Sequence, residues 1–559
     1  MRKNMNYLNR AKDPEFWQRV RENDVYLPLR EKYLTRWEEE CENTPPISLK
    51  YSDWKEFLVS GKRIERNYFA ARQQLMAATF LALIYPEEEK YIKRVEDQLF
   101  AISNEYSWCI PAHYGKPLEG NRNKIDLFAA ETGFALAEIY TILENRLDDF
   151  IKARVKEEVY SRIVNSMLET PQFGFETMSN NWSAVCAASV SGATMLLFPE
   201  RFSEIKPRID AAMALYLTGY HDDGVCLEGA SYWGYGFGFY TYYADMLKEF
   251  TEGKEDLMTI PKVKNIATFM QKTFLTGSTC VSFSDGGRTA SFNVGLLHHL
   301  KSIFPEDVVL LQSEFKTGRD GCARFAPALR EFIWFSEDMY ANPEDGTAEF
   351  EFLADGAEWF IKRCPNYGFA AKGGHNKEPH NHNDVGNFIF AKNKAQILVD
   401  LGPGAYTRQY FSGERYTIFQ PHSRSHNVPI IGETYQSPGI KFSAKDFKLD
   451  EGVLSMDISG AYASEELNSL KRSFSFTDSS VTLTDKISYF GDGIITERFI
   501  ALDKPEISSG RIDIRDGAIL HSPEFTPEIE EVELNSGAIC YLINFKLPKG
   551  KELFTVTLI

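Results

Sequence analysis

Over the first 325 or so residues, apolar positions recur at helical spacing. Tyr68–Tyr85 (YFAARQQLMAATFLALIY) is rich in helix formers and stops at Pro86. Within Ile125–Leu143, Leu127, Ala130, Phe134 and Ala137 share one face, and Leu136, Ile139 and Leu143 form a neighbouring stripe. The same spacing predicts helices over Asp149–Leu168, Trp182–Leu197, Ile209–Leu217, Tyr235–Phe250 and Val263–Phe274. These segments are short to medium, joined by brief connections, and no fixed-period repeat links them. Antiparallel helix pairs closing into an incomplete α/α toroid fit this pattern better than a solenoid does.

After about Arg330 the period shortens to alternating or apolar runs bounded by Gly, Asn, Asp and Pro. Glu358–Arg363, Tyr367–Lys372, Asn387–Ala391, Gln396–Leu401, Lys471–Thr477, Val481–Ile487, Ala538–Phe545 and Leu553–Ile559 all read as strands. Strands following one another without helices between them imply an antiparallel sandwich. The expected fold class is therefore α+β and multidomain, with a helical toroid over residues 1–330 and β-sandwich sheets over residues 331–559. Ser336–Gly346, mostly polar with one proline, suits a linker.

Length and charge narrow the function. A chain of 559 residues exceeds what one hydrophobic core serves, so two or three domains are expected. A formal charge of −17 argues against nucleic acid or an anionic membrane as partner, because both need a basic surface. The N-terminal MRKNMNYLNRAKDPEFW has a basic start but no apolar h-region, and no apolar run approaches a membrane span. Cys41, Cys109, Cys186, Cys226, Cys280, Cys322, Cys364 and Cys540 are scattered without a CxxC pair, the pattern of free thiols in a reducing compartment. A cytoplasmic address is expected, or a periplasmic one if a leader has been removed. Nothing in the pattern specifies an oligomeric state.

The densest chemistry lies at His380-Asn381-His382-Asn383-Asp384, then Asp400-Leu401-Gly402-Pro403-Gly404, then Ser425-His426-Asn427. In an extended segment, next-but-one histidines point to one face, so His380 and His382 are expected to reach the same place. Two imidazoles and a carboxylate suit Zn²⁺, whose borderline softness accepts N and O ligands. Turn formation by Asn, Asp and His is the simpler alternative.

The run GGHNKEPHNHNDVGNFIF…ILVDLGPGAY…SRSHNVPIIG resembles the C-terminal segment of the heparinase II/III-like polysaccharide lyases. Trp108-Cys109-Ile110-Pro111-Ala112-His113, Ile125-Asp126-Leu127, Asn180-Asn181-Trp182 and Glu228-Gly229-Ala230-Ser231-Tyr232-Trp233 follow that family's order, so the resemblance spans roughly residues 100–435. It implies a toroid followed by antiparallel sheets, and cleavage of an acidic, uronate-containing polysaccharide or oligosaccharide by β-elimination. Such a reaction must neutralise the uronate carboxylate, remove the C5 proton and protonate the leaving O4.

By the same resemblance, Asn181 or its neighbour Asn180 binds the carboxylate, and Tyr232 is the acid/base tyrosine with Tyr235 as the alternative. His380 is the catalytic histidine and Tyr416 a second tyrosine. His382, Asp400 and His426 hold one Zn²⁺, mainly structural, and His113, Trp233 and Glu228 are substrate contacts, as is Trp182, which stands where many relatives carry His. Taken alone, Asn180 and Asn181 also suit a helix N-cap, and SYWGYGFGFYTYY also suits a core stripe. A glycosidase using Asp222, Asp223, Glu228, Asp126 or Glu131 is a rival reaction, as are an alginate-type lyase, a uronyl C5-epimerase and a non-catalytic sugar-binding protein.

Overall fold

The computed structural model describes residues 6–60, 65–113, 121–289, 292–310, 320–342, 349–407 and 409–559. Its contacts divide the chain into two compact units. Residues 1–219, 234–264 and 291–344 form the first, and residues 220–233, 265–290 and 345–559 the second. The division differs from a single crossing at residue 330. Segments 220–233 and 265–290 belong with the sheets, and 331–344 with the helices.

The first unit is helical. Arg66–Ile84 packs on Glu89–Ser103, and Asn181–Leu197 packs on both Leu127–Ile142 and Phe202–Thr218. Arg66–Ile84 ends just before Tyr85, the residue that Pro86 biases away from the helical region. Leu127–Ile142 and Asn181–Leu197 are buried almost all round, as inner helices must be. They approach closely because Gly192 has no side chain; a Cβ there would lie 2.3 Å from Phe134 Cε2. Buried ion pairs cross-link the unit, Arg330–Glu138 at 2.7 Å and Arg72–Glu105 at 2.6 Å. Asp149–Leu168 is helical with a π-type segment, Tyr160–Asn165, and Val263–Phe274 is broken at Thr268. The expected linker begins as a short helix, Glu337–Ala341, capped by Ser336, whose Oγ accepts from Met339 N–H at 3.3 Å. Residues 343–346 of that stretch lie outside the described residues.

The second unit holds three large antiparallel sheets among the described residues. One has five strands in the order Phe350–Ala354, Trp359–Arg363, Gly368–Lys372, Phe388–Lys392 and Ala395–Leu398. A second runs Pro527–Glu533, Ile539–Lys546, Ile495–Ala501 and Ile430–Ile431. The third has eight strands and centres on Leu467–Phe476, Val481–Tyr489 and Leu553–Leu558. Alternate residues of facing strands fill one core: Phe369 meets Phe474 at 4.9 Å between ring centres, and Phe388 meets Phe499 at 6.0 Å. This is a sandwich, and the loops at the ends of the five-stranded sheet carry the His and Asp cluster. All eight cysteines are free, and six are buried. Among the described residues no helix is long and apolar enough to cross a membrane.

Candidate active site

In the second unit the cluster converges on a residue the motifs did not single out, Asp285. Its side chain is fully buried, and the carboxylate accepts five donors. Oδ2 takes His380 Nδ1 at 2.5 Å and the Tyr406 hydroxyl at 2.9 Å. Oδ1 takes the Tyr410 hydroxyl at 2.5 Å, His382 Nε2 at 3.2 Å and Arg415 Nη2 at 3.3 Å. Burial alone would raise this carboxyl, but the hydrogen bonds from His380 and His382 outweigh it and hold Asp285 below the ordinary carboxylate range.

His380 and His382 do reach one place, though not by strand alternation. His380 sits in a turn at φ 55°, the left-handed region, and both rings are drawn to the same carboxylate. Arg415 fixes the turn by donating to the His380 carbonyl at 3.0 Å and the Asn381 carbonyl at 2.9 Å. Tyr232 lies on the helix Ala230–Phe250, which starts earlier than the sequence pattern predicts. Its ring stacks on His380 at 4.1 Å between centres, and its hydroxyl meets that of Tyr406 at 2.9 Å. Tyr416 accepts from Asn381 Nδ2 at 3.2 Å, one residue from His380.

His382, Asp400 and His426 are fully buried, and each places a ligand atom within 4.8 Å of the others'. His382 Nδ1 and His426 Nε2 are buried with no hydrogen-bond partner among the described residues. Such orphaned imidazole nitrogens are costly unless a further group engages them. Two imidazole nitrogens beside a carboxylate fit a divalent metal of the Zn²⁺ class. Burial pushes His382 below its ordinary value. His426 goes up despite burial, because Asp400 lies 3.2 Å from its Nδ1.

The surroundings explain the Asn residues of the motif. Asn387 Nδ2 donates to Asp400 Oδ2 at 2.7 Å, and Asn427 Nδ2 donates to the carbonyls of Phe388 and Val399. Buried Arg472, paired with Asp485 at 2.6 Å, donates to the carbonyls of Gly386 and Asn427. The turn after Asp400 needs Gly402. Its φ is +67°, its N–H caps Asp400 Oδ1 at 2.8 Å, and a Cβ would lie 2.5 Å from the Gly286 carbonyl oxygen.

In the helical unit, Asn180 is the N-cap, accepting from Trp182 N–H at 3.1 Å, so the capping role falls to one asparagine of the pair. Asn181 is the first helical residue and 5% exposed. His113 Nδ1 lies 2.7 Å from Asp126, which caps the helix Leu127–Ile142, and its ring tilts against Trp182 at 4.7 Å. Tyr235 is committed elsewhere than Tyr232: its hydroxyl bonds Glu131, and Arg324 stacks over its ring at 4.2 Å. Burial, acting against Arg324 and Tyr235, raises Glu131 to about 7.

One expected sugar contact is corrected. Trp233 is 1% exposed and its indole N–H donates to the Ile266 carbonyl at 2.7 Å, so it packs in the core and offers no stacking face. Glu228 is buried to much the same extent as Asn181. Among the carboxylates of the hydrolase reading, Asp126 is a helix cap, and Asp223 accepts from the Val225 and Ala357 backbone N–H groups.

The fold is that of polysaccharide lyases. A heparinase III structure superposes with a TM-score of 0.65 at 12% identity, covering 95% of this chain and 84% of that one. A heparan sulfate lyase mutant from Pedobacter heparinus gives 0.62 at 14%, covering 99% and 86%. The Streptomyces coelicolor A3 chondroitin AC lyase in complex with chondroitin sulphate gives 0.55 at 11%, covering 98% and 82%. No protein-family model and no curated protein matches the sequence. The chain thus has the heparinase and chondroitin lyase fold, a helical toroid followed by antiparallel sheets.

Proposed function

We propose that this protein is a polysaccharide lyase that cleaves uronate-containing acidic glycans, of the glycosaminoglycan class or their oligosaccharides, by β-elimination. One observation carries the reading: Tyr232 stacks on His380, and both are tied to Asp285, one through Tyr406 and one directly. That a heparan sulfate lyase and a chondroitin AC lyase in complex with chondroitin sulphate share the fold supports the substrate class.

The chemistry follows from the hydrogen bonds. With its Nδ1–H donated to the Asp285 carboxylate, His380 keeps a lone pair on Nε2. As the neutral base, that nitrogen takes the C5 proton, and Asp285 stabilises the imidazolium that forms. The C5–H electron pair becomes the C4–C5 double bond, the C4–O4 bond breaks, and Tyr232 gives its proton to O4. Asn181 is proposed as the amide donor to the carboxylate, with His113 and Trp182 contacting sugar and Tyr416 steadying the turn of His380. A Zn²⁺ ion held by His382, Asp400 and His426 would supply positive charge and tie the two loops together. The protein is proposed to act in a reducing compartment.

Heparan sulfate, hyaluronan, chondroitin sulfate and alginate, as polymers and short oligomers, provide the test. A rise in ultraviolet absorbance on one of them, abolished by Tyr232→Phe and by His380→Ala, is expected. New reducing ends without that absorbance would sink the lyase reading in favour of hydrolysis. Solvent deuterium entering uncleaved polymer would point to epimerisation.

A further inference from the structure

Tyr406 is placed so that its single hydroxyl proton has two possible acceptors. Asp285 Oδ2 lies 2.9 Å away, and the Tyr232 hydroxyl also lies 2.9 Å away. A phenol carries one proton. While Tyr406 donates to Asp285 Oδ2, the contact with Tyr232 is made only with Tyr232 as the donor. Burial, then Tyr232 and Asp285, push the Tyr406 phenol far above its ordinary value, so it stays protonated.

We propose that Tyr406 is a positioning residue that switches its hydroxyl proton from Asp285 to Tyr232 as Tyr232 acts as the acid. The proposal rests on the lyase reading above. In the resting state Tyr232 is the donor in its contact with Tyr406. When the Tyr232 O–H bond breaks and its proton passes to O4, the electron pair stays on the Tyr232 oxygen as phenolate. Tyr406 then rotates its hydrogen onto that phenolate, with no bond to Tyr406 broken. Asp285 gives up one of five donors and keeps His380, His382, Tyr410 and Arg415. The proton removed from C5 restores Tyr232 before the next turnover. A hydrogen bond to phenolate is charge-assisted and roughly twice as strong as a neutral one. The gain therefore arises in the transition state and should appear in kcat, leaving KM unmoved.

Tyr406→Phe keeps the ring, which packs on Tyr410 at 5.0 Å and Phe411 at 5.2 Å, and removes the hydroxyl with its bonds to Asp285 and Tyr232. The titratable and charged groups around the pair remain in place: His380 against Tyr232, Asp285 and Tyr410 against Tyr406, and Arg415 beyond Asp285.

On a substrate from which the wild type makes unsaturated product, kcat should fall about 10- to 100-fold, with KM within about twofold. The basic limb of the kcat profile should also move to higher pH. A rise in KM with kcat unchanged, or an unmoved basic limb, would overturn the proposal.

A second measurement needs no turnover. Phenolate absorbance of the wild type minus Tyr232→Phe reports the ionisation of Tyr232. The same difference in the Tyr406→Phe background should shift to higher pH, and an unshifted curve would overturn the switch. Because this titration reads the two tyrosines directly, it separates failure of the switch from failure of the lyase reading, which shows as no ultraviolet product from the wild type.

Discussion

Asp285 Oδ2 accepts the Nδ1–H of His380 at 2.5 Å, and this bond decides which imidazole nitrogen is left for chemistry. An amide in place of the carboxylate would let the ring adopt the other tautomer and remove the negative charge that balances an imidazolium. Asp285→Asn is expected to lower kcat by about 100-fold or more. Initial rates of double-bond formation check this; a loss under tenfold would mean that His380 is oriented by something else.

The orphaned nitrogens of His382 and His426 predict a dependence on metal. Treatment with a strong chelator should lower the unfolding midpoint by about 5 °C or more, and Zn²⁺ should restore it. Elemental analysis should find one ion per chain in the untreated protein. His426→Ala should contain none and should be insensitive to the chelator. An unchanged midpoint together with an empty metal analysis would leave the three residues as a polar cluster.

Glu131 gives a pH dependence of stability with a definite sign. Its ordinary value is 4.5, and in the folded chain it is raised to about 7, chiefly by burial. Between these values the unfolded chain releases the proton while the folded chain keeps it, so stability falls as pH rises through the window. Above pH 7 the loss is complete, on the order of 3 kcal/mol. Glu131→Gln imitates the protonated group and should flatten the melting temperature between pH 5 and 8. Equal slopes in wild type and variant would show that no such shift exists.

Gly402 tests the packing of the loops. A Cβ at this position meets the Gly286 carbonyl, next to Asp285, and the backbone lies at φ +67°. Gly402→Ala should cost about 1–3 kcal/mol in stability and push the Asp285 turn away from Asp400, with a matching loss of activity. Full activity with a normal denaturation midpoint would show that the turn adapts.

The helical and sheet halves were legible because burial leaves a period in the sequence. Phe134 and Leu136 on one side, and Phe369, Phe388 and Phe474 on the other, occupy positions that any residue pattern must fill with apolar groups. The loops were legible where they collect unusual side chains, which is how His380, His382, Asp400 and His426 stand out. Asp285 did not stand out, because Ser284-Asp285-Gly286-Gly287 has the composition of an ordinary turn. Its partners come from positions 95 to 130 residues later, a separation that no local pattern encodes. Tyr406 was in plain view at the end of the DLGPGAY run, yet only the fold brings its hydroxyl to Tyr232. Trp233 misled for the opposite reason: an aromatic beside a candidate acid suits a sugar platform equally well as a core anchor, and its bond to Ile266 decides for the core.

The affiliation of segments 220–233 and 265–290 with the sheets has a consequence for how this protein can be taken apart or recombined. A cut at residue 330 looks natural on the sequence, but it would leave Tyr232 and Asp285 on one fragment and His380, His382 and Tyr406 on the other. Neither fragment would own the whole of the proposed proton-transfer pair. A domain swap with a related enzyme at that junction would join a tyrosine and a carboxylate from one parent to histidines tuned to another. Inheritance of the whole chain as one block, or exchange that carries both excursions together with the sheets, keeps Tyr232, Asp285, His380 and Tyr406 from the same source.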